Sequence, residues 1–202
     1  MKKGIVGAGG FGNEVYWSLS KIERDNTIFF VEDNYLNINT NSNKLIKPLS
    51  EFNPLEYELV IAIGNGKDRS RIVKNLPKET IYFTHIHPSV QILGDNVEIG
   101  VGSIICAGSI ITNNIKIGKH THLNLLTTIG HDNLIGDYFT TAPGVKISGN
   151  CNIENYVYFG TNSCTKEKIS ICNDVTIGLN SGVVKNIIEP GIYIGTPTIK
   201  IK

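Results

Sequence analysis

Residues 99–136 read IGVGSIICAGSIITNNIKIGKHTHLNLLTTIGHDNLIG, and an aliphatic side chain returns at every sixth position: Ile99, Ile105, Ile111, Ile117, Leu123, Ile129 and Ile135. Extended both ways, the series runs from Leu93 to Val183, and thirteen of its sixteen members are Leu, Ile or Val, with Thr141, Phe159 and Thr165 the exceptions. Glycine often follows the aliphatic residue, as at Gly94, Gly100, Gly118, Gly130, Gly136, Gly160 and Gly178. Four places after it sits a small or β-branched residue in most repeats, such as Ser103, Ser109, Thr121, Thr127, Val145 and Ser163. A period of this length, held from 93 to 183, marks a repeat architecture.

The physics follows directly. Each short strand points one aliphatic side chain inward, a turn follows, and the next strand does the same. Stacked coils bury each other's ladders, so the segment is a solenoid held by neighbour contacts. The pattern resembles the hexapeptide repeat of left-handed parallel β-helices, in which three hexapeptides form one triangular coil. That resemblance implies about five coils between 93 and 186 and supplies the left hand, since the usual crossover rule would suggest the opposite one.

Ahead of the repeat the grammar differs. Gly4-Ile5-Val6 is a short apolar strand running into Gly7-Ala8-Gly9-Gly10-Phe11-Gly12, and Asn13 to Ile22 has helical spacing with Val15, Leu19 and Ile22 on one face. Thr27-Ile28-Phe29-Phe30-Val31 is a second strand ending in Glu32-Asp33, and an Asn-rich polar loop spans about 34–45. Leu59-Val60-Ile61-Ala62-Ile63 suits a strand buried on both faces. Gly64-Asn65-Gly66 then turns into a helix over Asp68 to Leu76, and Ile81-Tyr82-Phe83 closes the unit. Alternating strands and helices imply a parallel sheet. The expected organisation is an α/β Rossmann-like half-domain over 1–84 and a β-helix over 85–202.

Composition narrows the function classes. The 202 residues carry 19 basic and 18 acidic side chains, a net charge of +1 that gives no footprint for nucleic acid. No apolar run is long enough for a membrane span, and the early glycines interrupt any signal-like stretch, so a cytoplasmic protein is expected. The chain has 31 Ile and 22 Asn, which favours strands joined by tight turns. Cys106, Cys151, Cys164 and Cys172 form no metal-binding or disulfide pattern, so they are expected as buried or half-buried filler and no metal site is expected.

Of five histidines, His85 and His87 flank the junction and are expected to be structural, and His120 and His122 are expected on a solvated surface. His131 follows Ile129-Gly130 and precedes Asp132, at a corner of the repeat. At a turn the carboxylate can reach its neighbour's imidazole, fix its tautomer and raise its basicity. That arrangement suits a general base, although a purely structural corner pair has the same spacing. Gly7-x-Gly9-x-x-Gly12 after a strand, with Glu32-Asp33 at the end of the next, matches a dinucleotide fingerprint. The segment ahead of the repeat is too short for the two halves of a full dinucleotide domain, which argues against an NAD enzyme.

The repeat, Ile129-Gly130-His131-Asp132, the opening Gly7-Ala8-Gly9-Gly10-Phe11-Gly12 and the tail Gly195-Thr196-Pro197 together resemble the NeuD/PglD family of bacterial sugar acetyltransferases. The resemblance covers essentially the whole chain. It implies that His131 is the general base, assisted by Asp132, and that acetyl-CoA is the co-substrate, lying along the solenoid between two subunits of a homotrimer. It further implies that the Gly149 backbone N–H faces the thioester carbonyl, and that Thr140, Thr161 and Leu179 touch the coenzyme. Thr140 stands where the N-acetylating members carry histidine. In the N-terminal half the resemblance implies a nucleotide-linked amino sugar held by Gly9, Gly10, Phe11, Glu32, Asp33 and Gly64, with Phe11 replacing a common histidine. The expected reaction is N-acetylation of that sugar for surface polysaccharide or glycan synthesis. O-acetylation of a sialic-acid-like sugar and a catalytically silent scaffold are the alternatives.

Overall fold

The computed structural model describes residues 1–36 and 44–202, so the greater part of the Asn-rich loop lies outside the described residues. The chain divides into two compact units, Met1–His85 and Ile86–Lys202.

In the first unit a four-stranded parallel sheet has the order β3-β2-β1-β4, with β1 at Lys2–Val6, β2 at Thr27–Val31, β3 at Ile46–Pro48 and β4 at Tyr57–Ile61. Ile5, Val6, Phe29, Phe30, Leu59, Val60 and Ile61 are buried, as continuous apolar strands of a covered parallel sheet must be. Helix α1 runs from Gly10 to Ser18 and stops there, short of the predicted Ile22. Ser20 starts a separate short helix, α2 (Lys21–Asp25), with a capping box: its hydroxyl accepts from the Glu23 N–H while the Glu23 carboxylate takes the Ser20 N–H. That restart rotates Ile22 away from the core, and it is 79% exposed. Helix α3 (Gly66–Asn75) begins ahead of the expected Asp68, because Asn65 caps it by accepting from the N–H groups of Lys67 and Asp68. Fully buried Arg69 braces the turn before it, donating to the carbonyls of Ile63 and Gly64 at 2.9 and 3.0 Å.

The second unit is a parallel β-helix with three faces. The first stacks Ile104–Ile105, His122–Leu123, Thr140–Thr141, Tyr158–Phe159 and Val175–Ile177. The second stacks Gln91–Ile92, Ile110–Ile111, Thr128–Ile129, Lys146–Ile147, Cys164–Thr165 and Gly182–Val183, and the third runs from Val97–Ile99 to Ser170–Ile171. Partners are separated by three hexapeptides, one full coil, as in Ile104↔His122↔Thr140 and Ile110↔Thr128↔Lys146. The inward ladder from Ile105 to Val183 is buried, with the small residues four places on filling the corners. Its threonines are paired: Thr141 Oγ1 accepts from the Asn124 N–H and meets Thr127 Oγ1, and Thr165 Oγ1 accepts from the Ser148 N–H.

One end departs from the expected period. Ile92 pairs with Ile111, where a strict repeat would pair Leu93 with it, so the first coil is out of step and Leu93 is 64% exposed instead of inward. His120 and His122 are buried, contrary to the solvated surface expected of them. The His120 ring fits where Gly102 has no Cβ and stacks on Tyr138 at 5.4 Å, and Tyr138 stacks on Tyr156 at 5.3 Å. His122 sits mid-strand between Ile104 and Thr140. His85 meets the Ser18 hydroxyl at 2.7 Å, and His87 meets Ser89 at 2.8 Å. All four cysteines are free, and Cys164 is exposed where buried or half-buried filler was expected. Its outward place on the strand Cys164–Thr165 turns the thiol away from the ladder that Thr165 joins. Among the described residues no helix is long and apolar enough to cross a membrane.

Candidate active site

The second and third faces of the β-helix meet at an edge where each coil places a non-glycine residue at positive φ: Asn114, Asp132, Asn150 and Lys168. Asn and Asp tolerate this left-handed conformation better than most residues. The conformation turns the chain sharply, so the residue before each such position stands at the edge. On one coil that residue is His131.

Its Nδ1 lies 2.6 Å from Asp132 Oδ2. With Nδ1–H donating to the carboxylate, Nε2 carries the lone pair. The second carboxylate oxygen, Oδ1, accepts from Asn114 Nδ2 at 2.5 Å. Both bonds favour the ionised form, so the Asp132 carboxyl is pulled below its ordinary value, by Asn114 first and His131 second. Both side chains of the pair are partly open to solvent, 57% for His131 and 40% for Asp132.

Gly149 lies one coil beyond His131, directly against the imidazole. A Cβ built there would stand 2.7 Å from His131 Cε1 and Nε2, so the ring takes the space that a side chain would fill. The Asn150 N–H donates to the His131 carbonyl and the Lys168 N–H to the Gly149 carbonyl, which locks the three coils in register. Among the described residues nothing accepts from the Gly149 N–H. The contrast with a neighbouring edge is instructive. There the corresponding N–H groups of Lys119, Asp137 and Asn155 are each closed by a side chain of the next coil, Asp137, Asn155 and Asn173. The edge bearing His131 therefore offers a basic imidazole nitrogen and, one coil on, an open N–H donor, the base and the oxyanion donor that an acyl-transfer centre needs.

Thr140, Thr161 and Leu179 are elsewhere. Thr140 is buried on the first face, while Thr161 and Leu179 follow strands of that face and stand at its edge with the second. Within one chain the structure does not bring them to His131.

In the first unit a cavity of about 340 Å³ opens at the carboxyl ends of β1, β2 and β4, lined by Val6, Gly7, Gly9, Glu32, Tyr35 and Arg71 among others. This is where open parallel sheets hold ligands. Gly7 is at φ +106 and a Cβ on Gly12 would strike the Gly7 carbonyl, so these two glycines serve the turn itself. Gly9, Gly10 and Gly64 face open space. Glu32 is gripped by Arg71 through two bonds of 2.6 and 2.9 Å, which hold its carboxyl below its ordinary value. Asp33 turns away into a separate concavity with Leu49 and Ser50, accepting from the Ser50 N–H, and Gly10, Phe11 and Gly64 do not line the main cavity. Residue spacing pointed to the cavity through its glycines and Glu32. It missed Arg71 and Tyr35, whose positions on a helix face and in a single 3-10 turn carry no motif. It also missed Asn114, whose only signal is that it lies one coil, three hexapeptides, before Asp132. Among the described residues no cluster of three or more His, Cys, Asp or Glu side chains could hold a metal ion.

Residues 4–76 match the model of the PglD N-terminal domain. The chain is 30% identical over 174 residues to GDP-perosamine N-acetyltransferase of Escherichia coli O157:H7, covering 82% of this chain and 78% of that one. The chain belongs to the NeuD/PglD family of sugar acetyltransferases. Among solved structures, WeeI from Acinetobacter baumannii AYE matches over the whole of both chains, with 31% identity and a TM-score of 0.88. The match over both units bears out the expected fold, a Rossmann-like half-domain followed by a left-handed parallel β-helix. The acetyltransferase domain of PglB from Neisseria gonorrhoeae FA1090, in complex with acetyl coenzyme A, shares that fold at 22% identity with a TM-score of 0.87, over 99% of this chain and 98% of that one.

Proposed function

We propose that the protein is an acetyl-CoA-dependent N-acetyltransferase acting on a nucleotide-linked amino sugar, with His131 as general base. The observation that carries this reading is the imidazole seated on Gly149, its Nδ1 held by Asp132, with a Gly149 N–H that has no acceptor among the described residues. Relatives named for perosamine N-acetylation and for binding acetyl coenzyme A support the reaction class.

In this reading His131 Nε2 takes the proton from the sugar amine as the nitrogen attacks the thioester carbonyl. The Asp132 carboxylate stabilises the imidazolium that forms. The Gly149 N–H donates to the carbonyl oxygen as it gains negative charge, and His131 then returns its proton to the departing thiolate. No acyl-enzyme is involved. The open glycine Gly9, at the start of α1 and in the cavity lining, receives the diphosphate, where the helix N-terminus favours negative charge. Glu32 and Arg71 bind the nucleoside end of the same ligand. Thr161 and Leu179 stand on a different edge from His131, so a coenzyme that touches both sets must lie between two copies of the chain. The family resemblance supports a homotrimer, for which light scattering should give about three times the 22.1 kDa chain mass.

The test is His131→Ala. Turnover should fall by about 10²-fold or more, the usual contribution of a general base, while acetyl-CoA affinity stays nearly unchanged. A folded variant with near-normal turnover overturns the assignment.

A further inference from the structure

We infer that Asn114 is a positioning residue for this site: from the coil below, it fixes the plane of the Asp132 carboxylate so that Oδ2 stays on His131 Nδ1. The inference rests on the reading of His131 as general base.

Three observations carry it. Asn114 and Asp132 occupy the same column of the β-helix on successive coils, at φ 55 and 58, so their side chains leave the edge in parallel. Asn114 Nδ2 takes one carboxylate oxygen at 2.5 Å while His131 Nδ1 takes the other at 2.6 Å. The bond is also particular to this coil. Asn150, the next asparagine in the column, has φ 59 and makes no side-chain hydrogen bond among the described residues. A left-handed turn accounts for asparagine at both positions, but only Asn114 grips a neighbour.

The need for such a grip follows from exposure. A carboxylate that is 40% exposed rotates freely and trades its partner for water unless a second bond restrains it. With both oxygens engaged on opposite sides, rotation breaks two bonds at once, and the imidazole is held in one plane and one tautomer.

The test uses Asn114→Gly, which removes the side chain while keeping a residue that accepts positive φ. The positioning role predicts a fall in kcat of about five- to tenfold from looser alignment, with KM for both substrates within about twofold. It also predicts that the acidic limb of the pH–rate profile moves to lower pH, because a less firmly held carboxylate stabilises the imidazolium less. In an Asp132→Asn background the same substitution should have no further effect. An unchanged kcat overturns the proposal, as does an equal loss with and without Asp132, or a lowered Tm with an unmoved acidic limb. A His131→Ala variant that turns over normally overturns the general-base reading and the role of Asn114 with it. An inactive His131→Ala beside a fully active Asn114→Gly overturns the positioning role alone.

Discussion

Gly149→Ala adds a single methyl group against the His131 ring. Gly149 does not have a positive φ, so the backbone accepts an L-residue without strain. The new carbon would stand 2.7 Å from Cε1 and Nε2 and 3.1 Å from Cδ2, under the face of the imidazole. Ordinary contact begins near 3.4 Å, so the ring must move by about 0.7 Å. It is 57% exposed and can swing outward, which keeps the loss of stability within about 1 kcal/mol, as for most surface changes. The same swing stretches the 2.6 Å bond to Asp132 and carries Nε2 away from the Gly149 N–H. Misplacement of a reacting group by about 1 Å costs on the order of 10²-fold in rate, or about 2.7 kcal/mol in the barrier. Thiol release from acetyl-CoA, with a nucleotide-linked amino sugar as acceptor, should therefore show kcat down by about 10²-fold with KM for acetyl-CoA within about threefold. A kcat above a third of the parent value, with Tm unchanged, would refute the argument that the ring depends on its seat over Gly149. A rise in acetyl-CoA KM alone would mean instead that the glycine serves the coenzyme and not the histidine.

Gly7→Ala should cost about 1–2 kcal/mol in urea unfolding, since φ +106 is left-handed and the new Cβ would crowd the Ala62 carbonyl at 3.0 Å. Gly9→Ala meets nothing within 4 Å and should leave stability alone while raising KM for the nucleotide sugar; unchanged kinetics would remove Gly9 from the substrate site. Glu23 is held down to about 2 by Lys3 and Ser20, against an ordinary 4.5. A depressed carboxyl stabilises the fold above its unfolded value and loses that contribution as pH falls through the folded one. Glu23→Gln should thus be the less stable protein at pH 6, with the gap closing between about 4.5 and about 2, and a gap constant across that range would contradict the pairing. Gly102→Ala should lower stability by about 1–3 kcal/mol, because it combines a positive φ with a clash on the His120 ring; an unchanged Tm would show that the ring has room elsewhere.

Much of the β-helix was legible because its rule is one-dimensional: an inward aliphatic residue every six places, visible without knowing any contact. Thr141 and Thr165 looked like breaks in that rule, yet they follow it, with their hydroxyls taken by corner N–H groups. The slip at Ile92 was not legible, since nothing in the local pattern distinguishes Ile92 from Leu93 as the inward residue. His131 and Asp132 stood out because they are titratable and adjacent. Asn114 did not, because a turn asparagine at positive φ needs no other explanation. The same limit misread His120: its burial depends on the missing Cβ of Gly102, a full coil away in sequence, and on the Tyr138 ring beyond. Asp33 and Glu32 were indistinguishable as neighbours at a strand end, and only the direction of the chain after β2 sends one into the cavity and the other out of it. Ile22 fitted the helical face on spacing alone, but the capping box at Ser20 interrupts the helix that would have buried it.

The seat of His131 over Gly149 gives the chemistry a height as well as a place on the edge. Neighbouring strands in a sheet lie about 4.8 Å apart, so imidazole and N–H are separated by a single rise of the coil. An extra coil of three hexapeptides spliced in beyond Lys168 lengthens the column and leaves that interval alone. The same coil spliced between Asp132 and Gly149 satisfies every rule of the ladder, yet lifts the donor a further ~4.8 Å out of reach. The repeat is thus indifferent to how many storeys it has, and the proposed reaction is not. The protein can grow at its ends, but the interval from Asn114 to Gly149 has a fixed length.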